Sequence, residues 1–118
     1  MDTVRRIADV LVRDYDRAVE VLERVARLVE ESHPDVLAWD CYFEESGDRM
    51  TWFQEHADQR TLLEYEHAVE ALGVLEEMSR VLDIKRLLVL GRVTDPELLE
   101  FFLRFPAVPV ERTIGVSR

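Results

Sequence analysis

Two histidines and a tyrosine in the middle of the chain have side chains that suit acid–base chemistry. His56 ends a predicted strand, His67 lies about two turns into the helix that follows, and Tyr65 lies on the apolar stripe of that helix. An unperturbed imidazole titrates at about pH 6.5, so either histidine is a candidate general base. The phenol of Tyr65 is a candidate hydrogen-bond partner for a ligand oxygen. Each residue also has a purely structural interpretation. His56 would be a strand-end histidine at a surface or interface, His67 a solvated helix histidine, and Tyr65 a core tyrosine.

Two tryptophans, Trp39 and Trp52, lie at facing positions of the hairpin that precedes this helix. They form a candidate aromatic wall for a planar ligand, although such a cross-strand pair also stabilises a sheet by itself. No metal site is expected, because the histidines lack HxxxH or HxH spacing and Cys41 is the only cysteine. No bound nucleotide or flavin cofactor is expected either, since the chain has no glycine-rich phosphate loop.

The composition predicts one globular domain over residues 1–118. The chain is 47% hydrophobic and 34% charged, with a formal net charge of −10. Nucleic-acid binding and adhesion to anionic membranes are disfavoured, because both need clustered Lys and Arg. The chain has no run of about 18 apolar residues, so no transmembrane helix is predicted. The first residues lack the layout of a signal peptide, which is a basic segment followed by an apolar one. With its single cysteine, the chain is therefore expected in the cytoplasm.

A β-hairpin over Val36–Asp58 is the strongest structural prediction. Apolar and β-branched runs flank a turn that contains Gly47. Neither face of this hairpin is purely polar, so both faces need a cover. One layer of helices covers only one face, and a second copy of the same sheet is the simplest cover for the other.

Residues 3–32 admit two interpretations. An unbroken a/d stripe from Val4 through Ala8 and Leu11 to Val29 favours one long helix. The alternative is a strand near residues 6–13, followed by a helix that Asp14 caps.

The rest of the chain predicts a second helix, a strand, a short helix and a weak last strand. Asp58 is the expected cap of the second helix, and Gly73 is expected to bend or break it. A strand follows over residues 84–93, then a short helix with Pro96 in its first turn, and a weak strand over residues 108–116. The glutamates of the second helix, Glu64, Glu66 and Glu70, are interpreted as a solvated face. The predicted fold is an α+β, ferredoxin-like two-layer sandwich with a mainly antiparallel four-stranded sheet.

The segments Leu37–Asp40 and Phe53–Asp58, with the turn between them, resemble antibiotic-biosynthesis-monooxygenase-like (ABM) proteins of the dimeric α+β barrel superfamily. The resemblance spans about residues 35–118. Two positions depart from the family pattern: His56 stands where an aromatic residue usually precedes Ala-Asp, and Tyr65 stands where the helix usually carries its histidine.

The resemblance implies a homodimer joined through its sheet faces and cofactor-independent oxygenation of a small aromatic quinol or polyketide-type substrate. The expected cavity lies between sheet and helices, with His56 or His67 as the base, Tyr65 orienting the ligand, and Trp39 or Trp52 as the wall. The alternative is a dimeric barrel without catalysis that binds a small ligand or assists a pathway.

Overall fold

A computed structural model of the chain describes residues 3–110 and 115–116. Its elements, in chain order, are β1 (Val4–Val12), α1 (Tyr15–Ser32), β2 (Val36–Phe43), β3 (Arg49–His56), α2 (Gln59–Leu72), α3 (Leu75–Val81), β4 (Leu82–Leu90), α4 (Pro96–Phe102) and β5 (Ala107–Val110). Of the helices within these residues, none is long and apolar enough to cross a membrane.

The five strands form one mixed sheet in the order β2-β3-β1-β4-β5. All neighbours pair antiparallel except β4 and β5, which are parallel because the chain crosses back over α4 between them. The helices lie on one face, so the architecture is α+β and ferredoxin-like, as predicted. The predicted strand number of four is wrong, because a fifth strand lies at the N-terminus, whereas the sheet is mainly antiparallel as predicted, with β4 and β5 as its one parallel pair among the described residues.

The preferred interpretation of residues 3–32 as one helix is wrong, and the alternative is right. β1 is the central strand, hydrogen-bonded to β3 on one side and to β4 on the other. Alternate β1 side chains are buried against the helices, from Val4 to Val12. The side chain of Asp14 accepts a hydrogen bond from the backbone N–H of Arg17 at 3.2 Å and so begins α1 there.

The predictions for the hairpin, α2 and α4 are confirmed. The Asp58 carboxylate caps α2 by accepting from the backbone N–H of Thr61 at 2.8 Å, and Gly73 ends α2 with a φ of 79°. Asp95 caps α4, whose first residue is Pro96. The predicted last strand over residues 108–116 begins one residue earlier, and residues 111–114 lie outside the described residues.

The sheet face away from the helices carries an apolar row. The register aligns Phe53, Ile7, Leu88 and Val108 across β3, β1, β4 and β5. We call this side of the sheet the open face. These four side chains are half-buried or exposed, in contrast to the fully buried valines Val4 and Val10 on the helix side.

Candidate functional site

A cavity of about 630 Å³ lies between the helix side of the sheet and helices α2, α3 and α4. Its lining includes Arg6, Trp52, Tyr65, Glu66, Phe101 and Arg104. Arg6 and Tyr65 are buried, whereas Arg104 is exposed, so the cavity extends from the core to the surface. Ligand sites with mostly apolar walls and a few polar groups commonly have volumes of about 300–1,000 Å³.

A buried ion pair forms the polar end of the cavity. Arg6 lies on the helix side of β1 with 6% of its surface exposed. Its Nη2 is 2.6 Å from Glu66 Oε1 on α2, and it also donates to Gln54 Oε1 on β3 at 2.5 Å. Each buried charge needs the other, because removing one partner of such a pair costs about 3–5 kcal/mol. The Arg6 Nε–H has no hydrogen-bond partner among the described residues.

His56 is fully buried behind this pair and does not line the cavity. Arginine can only donate, so the oxygen of the Gln54 amide must face Arg6. His56 Nε2, 3.0 Å from the same oxygen, must then carry its proton and donate it. Burial, with smaller contributions from Arg6 and His33, lowers the pKa of His56 to about 3. His56 is therefore a neutral imidazole at pH 7.

Tyr65 lines the cavity and is hydrogen-bonded to a tryptophan outside it. Trp39 Nε1 donates to the Tyr65 hydroxyl oxygen at 2.9 Å. Burial, followed by the Glu66 charge, raises the pKa of Tyr65, so the phenol keeps its proton. Since Trp39 uses the oxygen as an acceptor, the hydroxyl proton is left to donate, and no described residue accepts it. Tyr65 can therefore donate a hydrogen bond to a ligand.

Trp52 lines the cavity, and Trp39 packs behind it. The two rings meet edge to face with centroids 5.4 Å apart. The register pairs Cys41 with Trp52, so the two tryptophans are diagonal neighbours and not directly opposite. The Trp52 indole Nε1–H is buried and has no partner among the described residues.

His67 and Cys41 lie away from the cavity. His67 is exposed on α2, with its Nε2 2.5 Å from Glu97 Oε2 of α4, and it borders a separate pocket of about 130 Å³. Burial, then the Asp40 charge, raises the pKa of the Cys41 thiol to about 12. This agrees with an inert cysteine. Within residues 3–110 and 115–116, no group of three His, Cys, Asp or Glu side chains could hold a metal ion.

The structure thus brings Tyr65 and Trp52 to the cavity, sets Trp39 and His56 directly behind it, and leaves His67 outside. Sequence reasoning missed Arg6, Gln54 and Glu66. The signal for Arg6 was present in the alternative strand interpretation, where it falls among the buried alternate positions of β1. The predicted solvated face of α2 is correct for Glu64 and Glu70, which are exposed, and wrong for Glu66, whose side chain is only 10% exposed.

The buried end of the cavity therefore combines the Glu66 carboxylate with three hydrogen-bond donors, whereas the second carboxylate of the lining, Asp83, is paired with Arg13 and Lys85. Glu66 supplies a proton acceptor. The Tyr65 hydroxyl has a proton that no described residue accepts, and the Arg6 Nε–H and the Trp52 Nε1–H are two further unpaired donors, both enclosed by protein atoms. Such a set suits a ligand with an acidic proton and carbonyl or phenolic oxygens.

Solved structures share this fold at low sequence identity. MupZ from Pseudomonas fluorescens superposes with a TM-score of 0.74 at 18% identity, covering 100% of this chain and 96% of MupZ. SnoaB, a cofactor-independent oxygenase from Streptomyces nogalater, gives a TM-score of 0.66 at 13% identity, covering 81% and 99%. A proposed antibiotic biosynthesis monooxygenase from Caulobacter crescentus gives 0.58 at 15% identity, covering 79% and 92%.

No protein-family model matches the sequence, and no curated protein matches it. The fold of the chain is nevertheless ABM-like, as the resemblance implied. Identities this low establish the fold and leave the activity to be argued from the site.

Proposed function

We propose that this chain is a cofactor-independent monooxygenase that acts on a small aromatic quinol or polyketide-type substrate in the cavity. The observation that carries the proposal is the combination of a cavity of about 630 Å³ with aromatic walls and unpartnered donors at its buried end. The oxygenase activity of SnoaB, which has the same fold, supports the reaction class. Location in the cytoplasm stays a prediction.

The chemistry needs few protein groups because the substrate itself supplies the electrons. Tyr65 and Trp52 orient the ring by donating hydrogen bonds to its oxygens. A base removes one substrate proton, and the electron-rich anion reacts with O₂. One oxygen atom becomes a new carbonyl oxygen of the product. With an anthrone-type substrate, the other leaves as water with the two hydrogens of the oxidised carbon, as when anthrone and O₂ give anthraquinone and water.

Oxygen uptake with a panel of hydroquinones and anthrones tests the proposal. Tyr65→Phe removes one donor to the ligand, and we expect turnover to fall about tenfold, which corresponds to one lost hydrogen bond. Tyr42→Phe is the matched control, since Tyr42 is 60% exposed on β2. Absence of uptake by the wild type across the panel would reject the oxygenase assignment. In the same assay, unchanged rates in His56→Ala and His67→Ala would remove those two predicted bases.

The second candidate is a barrel that binds a small ligand without catalysis. It is favoured by the state of the two histidines, since His56 is buried and neutral and His67 lies outside the cavity. Quenching of tryptophan fluorescence by hydroquinones, with no oxygen uptake and no product, would support it over the enzyme.

We further propose that the chain forms a homodimer through the open face. The row from Phe53 through Ile7 and Leu88 to Val108 would otherwise leave apolar side chains in water. Trp52 faces the helices, so it does not belong to this surface. A standard interface buries about 800 Å² per partner, enough to hold a dimer at micromolar concentration after the losses of association.

Sedimentation equilibrium at tens of micromolar tests the dimer. We expect twice the 13.8 kDa chain mass for the wild type, and the single-chain mass for Phe53→Glu, which adds a charge to the row. Ala71→Glu adds the same charge to an exposed position of α2 and should stay dimeric. A wild type that sediments at the single-chain mass would reject the interface.

A further inference from the structure

The cavity contains polar groups whose bonding capacity the protein itself does not use. The Nε–H of Arg6 and the Nε1–H of Trp52 have no partner among the described residues, and each side chain is only 6% exposed. Leaving such donors unpaired is costly to folding, so it calls for an explanation. Both side chains line the cavity, but the two nitrogen atoms are themselves enclosed by protein atoms, so a side-chain shift has to bring each N–H to a ligand oxygen.

The two donors lie on the sheet side of the cavity, and the carboxylate lies on the helix side. In the sheet register Ala8 lies opposite Trp52 and Arg6 lies opposite Gln54, so Arg6 and Trp52 are diagonal neighbours on one face. Glu66 reaches the same cavity from α2. Arg6 Nη2 lies 2.6 Å from its Oε1, and Oε2 makes no hydrogen bond with a described residue.

We propose that Glu66 is the general base of this cavity and that the Arg6 and Trp52 N–H groups bind the oxyanion it creates, so that the site enolises aromatic ketones even without oxygen. This inference rests on the proposed function, because it uses the same cavity, and it deepens that function by naming an enolisable carbonyl as the substrate feature. Arg6 has two proposed roles: Nη2 orients the Glu66 carboxylate, and the Nε–H donates a hydrogen bond to the substrate oxygen.

The step is a proton transfer with no net redox change. The bond between hydrogen and the α-carbon breaks, and the proton moves to Glu66 Oε2. The electron pair of that bond becomes the carbon–carbon π bond, and the carbonyl π pair moves to oxygen as an enolate. The enolate oxygen accepts hydrogen bonds from the two N–H groups. These bonds stabilise the negative charge as it develops on the oxygen. Return of a proton from Glu66 restores the ketone.

Hydrogen–deuterium exchange under argon measures this step directly. The probes in D₂O are 2-tetralone, followed by NMR through loss of its α-proton signal, and anthrone, followed through loss of its C10 methylene signal, since that methylene is conjugated to the carbonyl through the rings. We expect the wild type to exchange these protons faster than buffer, and Glu66→Gln to lower the enzymatic rate at least about 100-fold, as for removal of a general base. Trp52→Phe should lower it about 10- to 100-fold through the lost oxyanion donor.

Glu64→Gln is the matched control, because Glu64 is exposed on the same helix and pairs with Arg60. Glu66→Gln keeps an amide oxygen for Arg6 but leaves the buried Arg6 charge uncompensated, so the variant should be less stable than the wild type; as long as it is folded, its dissociation constant for 2-tetralone should be preserved while its rate is lost. If it proves unstable, Glu66→Asp keeps the charge but shortens the side chain by one methylene, and it should bind the probe and exchange slowly.

The outcomes separate this inference from the oxygenase proposal. Exchange that depends on Glu66, without oxygen uptake on any substrate, supports the enolising site and rejects the oxygenase. Oxygen uptake that persists in a folded Glu66→Gln variant leaves the oxygenase standing and overturns the inference. No exchange of either probe above buffer by the wild type also overturns it.

Discussion

The buried, neutral state of His56 predicts a specific acid sensitivity of the fold. The pKa of His56 is lowered from 6.5 to about 3 in the folded chain, mainly by burial. As pH falls below 6.5, the unfolded chain takes up a proton at this residue and the folded chain does not. The free energy of unfolding therefore decreases as pH falls from 6.5 towards 3, and above 6.5 His56 has no effect on it.

The size of the effect follows from the width of that interval. Each pH unit within it costs about 1.4 kcal/mol, so His56 alone lowers the free energy of unfolding by about 2 kcal/mol between pH 7 and pH 5. This is a large share of the stability of a small domain. The lowered pKa values of Asp58 and Asp83 act below their ordinary value of 3.8, outside this range.

Urea unfolding, followed by tryptophan fluorescence at pH 7, 6 and 5 and one fixed protein concentration, measures the effect. His56→Gln keeps a donor to Gln54 but cannot take up a proton, so its stability should fall about 2 kcal/mol less than that of the wild type over this range. His33 and His67 are present in both proteins, and their contributions cancel. Equal pH dependence in the two proteins, or an NMR titration of His56 between pH 5 and 7, would refute the reasoning.

Three further predictions concern local structure. Asp58→Ala removes the cap that accepts from Thr61 N and Oγ1 and should cost about 1 kcal/mol in urea unfolding, whereas an unchanged midpoint would show that the cap is dispensable. Gly91→Ala should destabilise more, since Gly91 has a φ of 114° and a Cβ there would lie 2.8 Å from the backbone oxygen of Thr3; a folded variant of wild-type stability would contradict this. The raised pKa of Cys41 predicts slow labelling by a disulfide reagent at pH 8 until urea unfolds the chain, and rapid labelling of the native protein would contradict it.

Most of the secondary structure could be predicted from short sequence patterns. Gly47 between two apolar runs, Asp58 before an apolar period and Gly73 within one predicted a turn, a cap and a helix end, and all of them are found. These features depend on the conformational preferences of a few adjacent residues, which a single sequence contains in full. The helix side and the open face of the hairpin were harder to assign, because both carry apolar side chains.

The N-terminal error has a different cause. Val4, Ala8 and Leu11 fit a helical stripe by coincidence, whereas the strand pattern of alternate buried positions was interrupted by the charge of Arg6. An arginine normally indicates a solvated position, and Arg6 follows a second arginine, Arg5. Only the partners that tertiary structure brings to it, Gln54 and Glu66, make its burial stable.

The same error concealed the candidate site. With residues 3–32 interpreted as one helix, Arg6 was not expected near Glu66. Glu66 was then indistinguishable from its exposed neighbours on α2. The two residues are 60 positions apart, and they meet because β1 is the central strand and α2 lies over its neighbours β2 and β3 on the same side of the sheet. A charge at a buried alternate position of a predicted strand is therefore a reason to search the facing helix for its opposite charge. In this chain that search leads to Glu66, whose buried carboxylate lines the cavity, and not to the histidines that residue type alone selected.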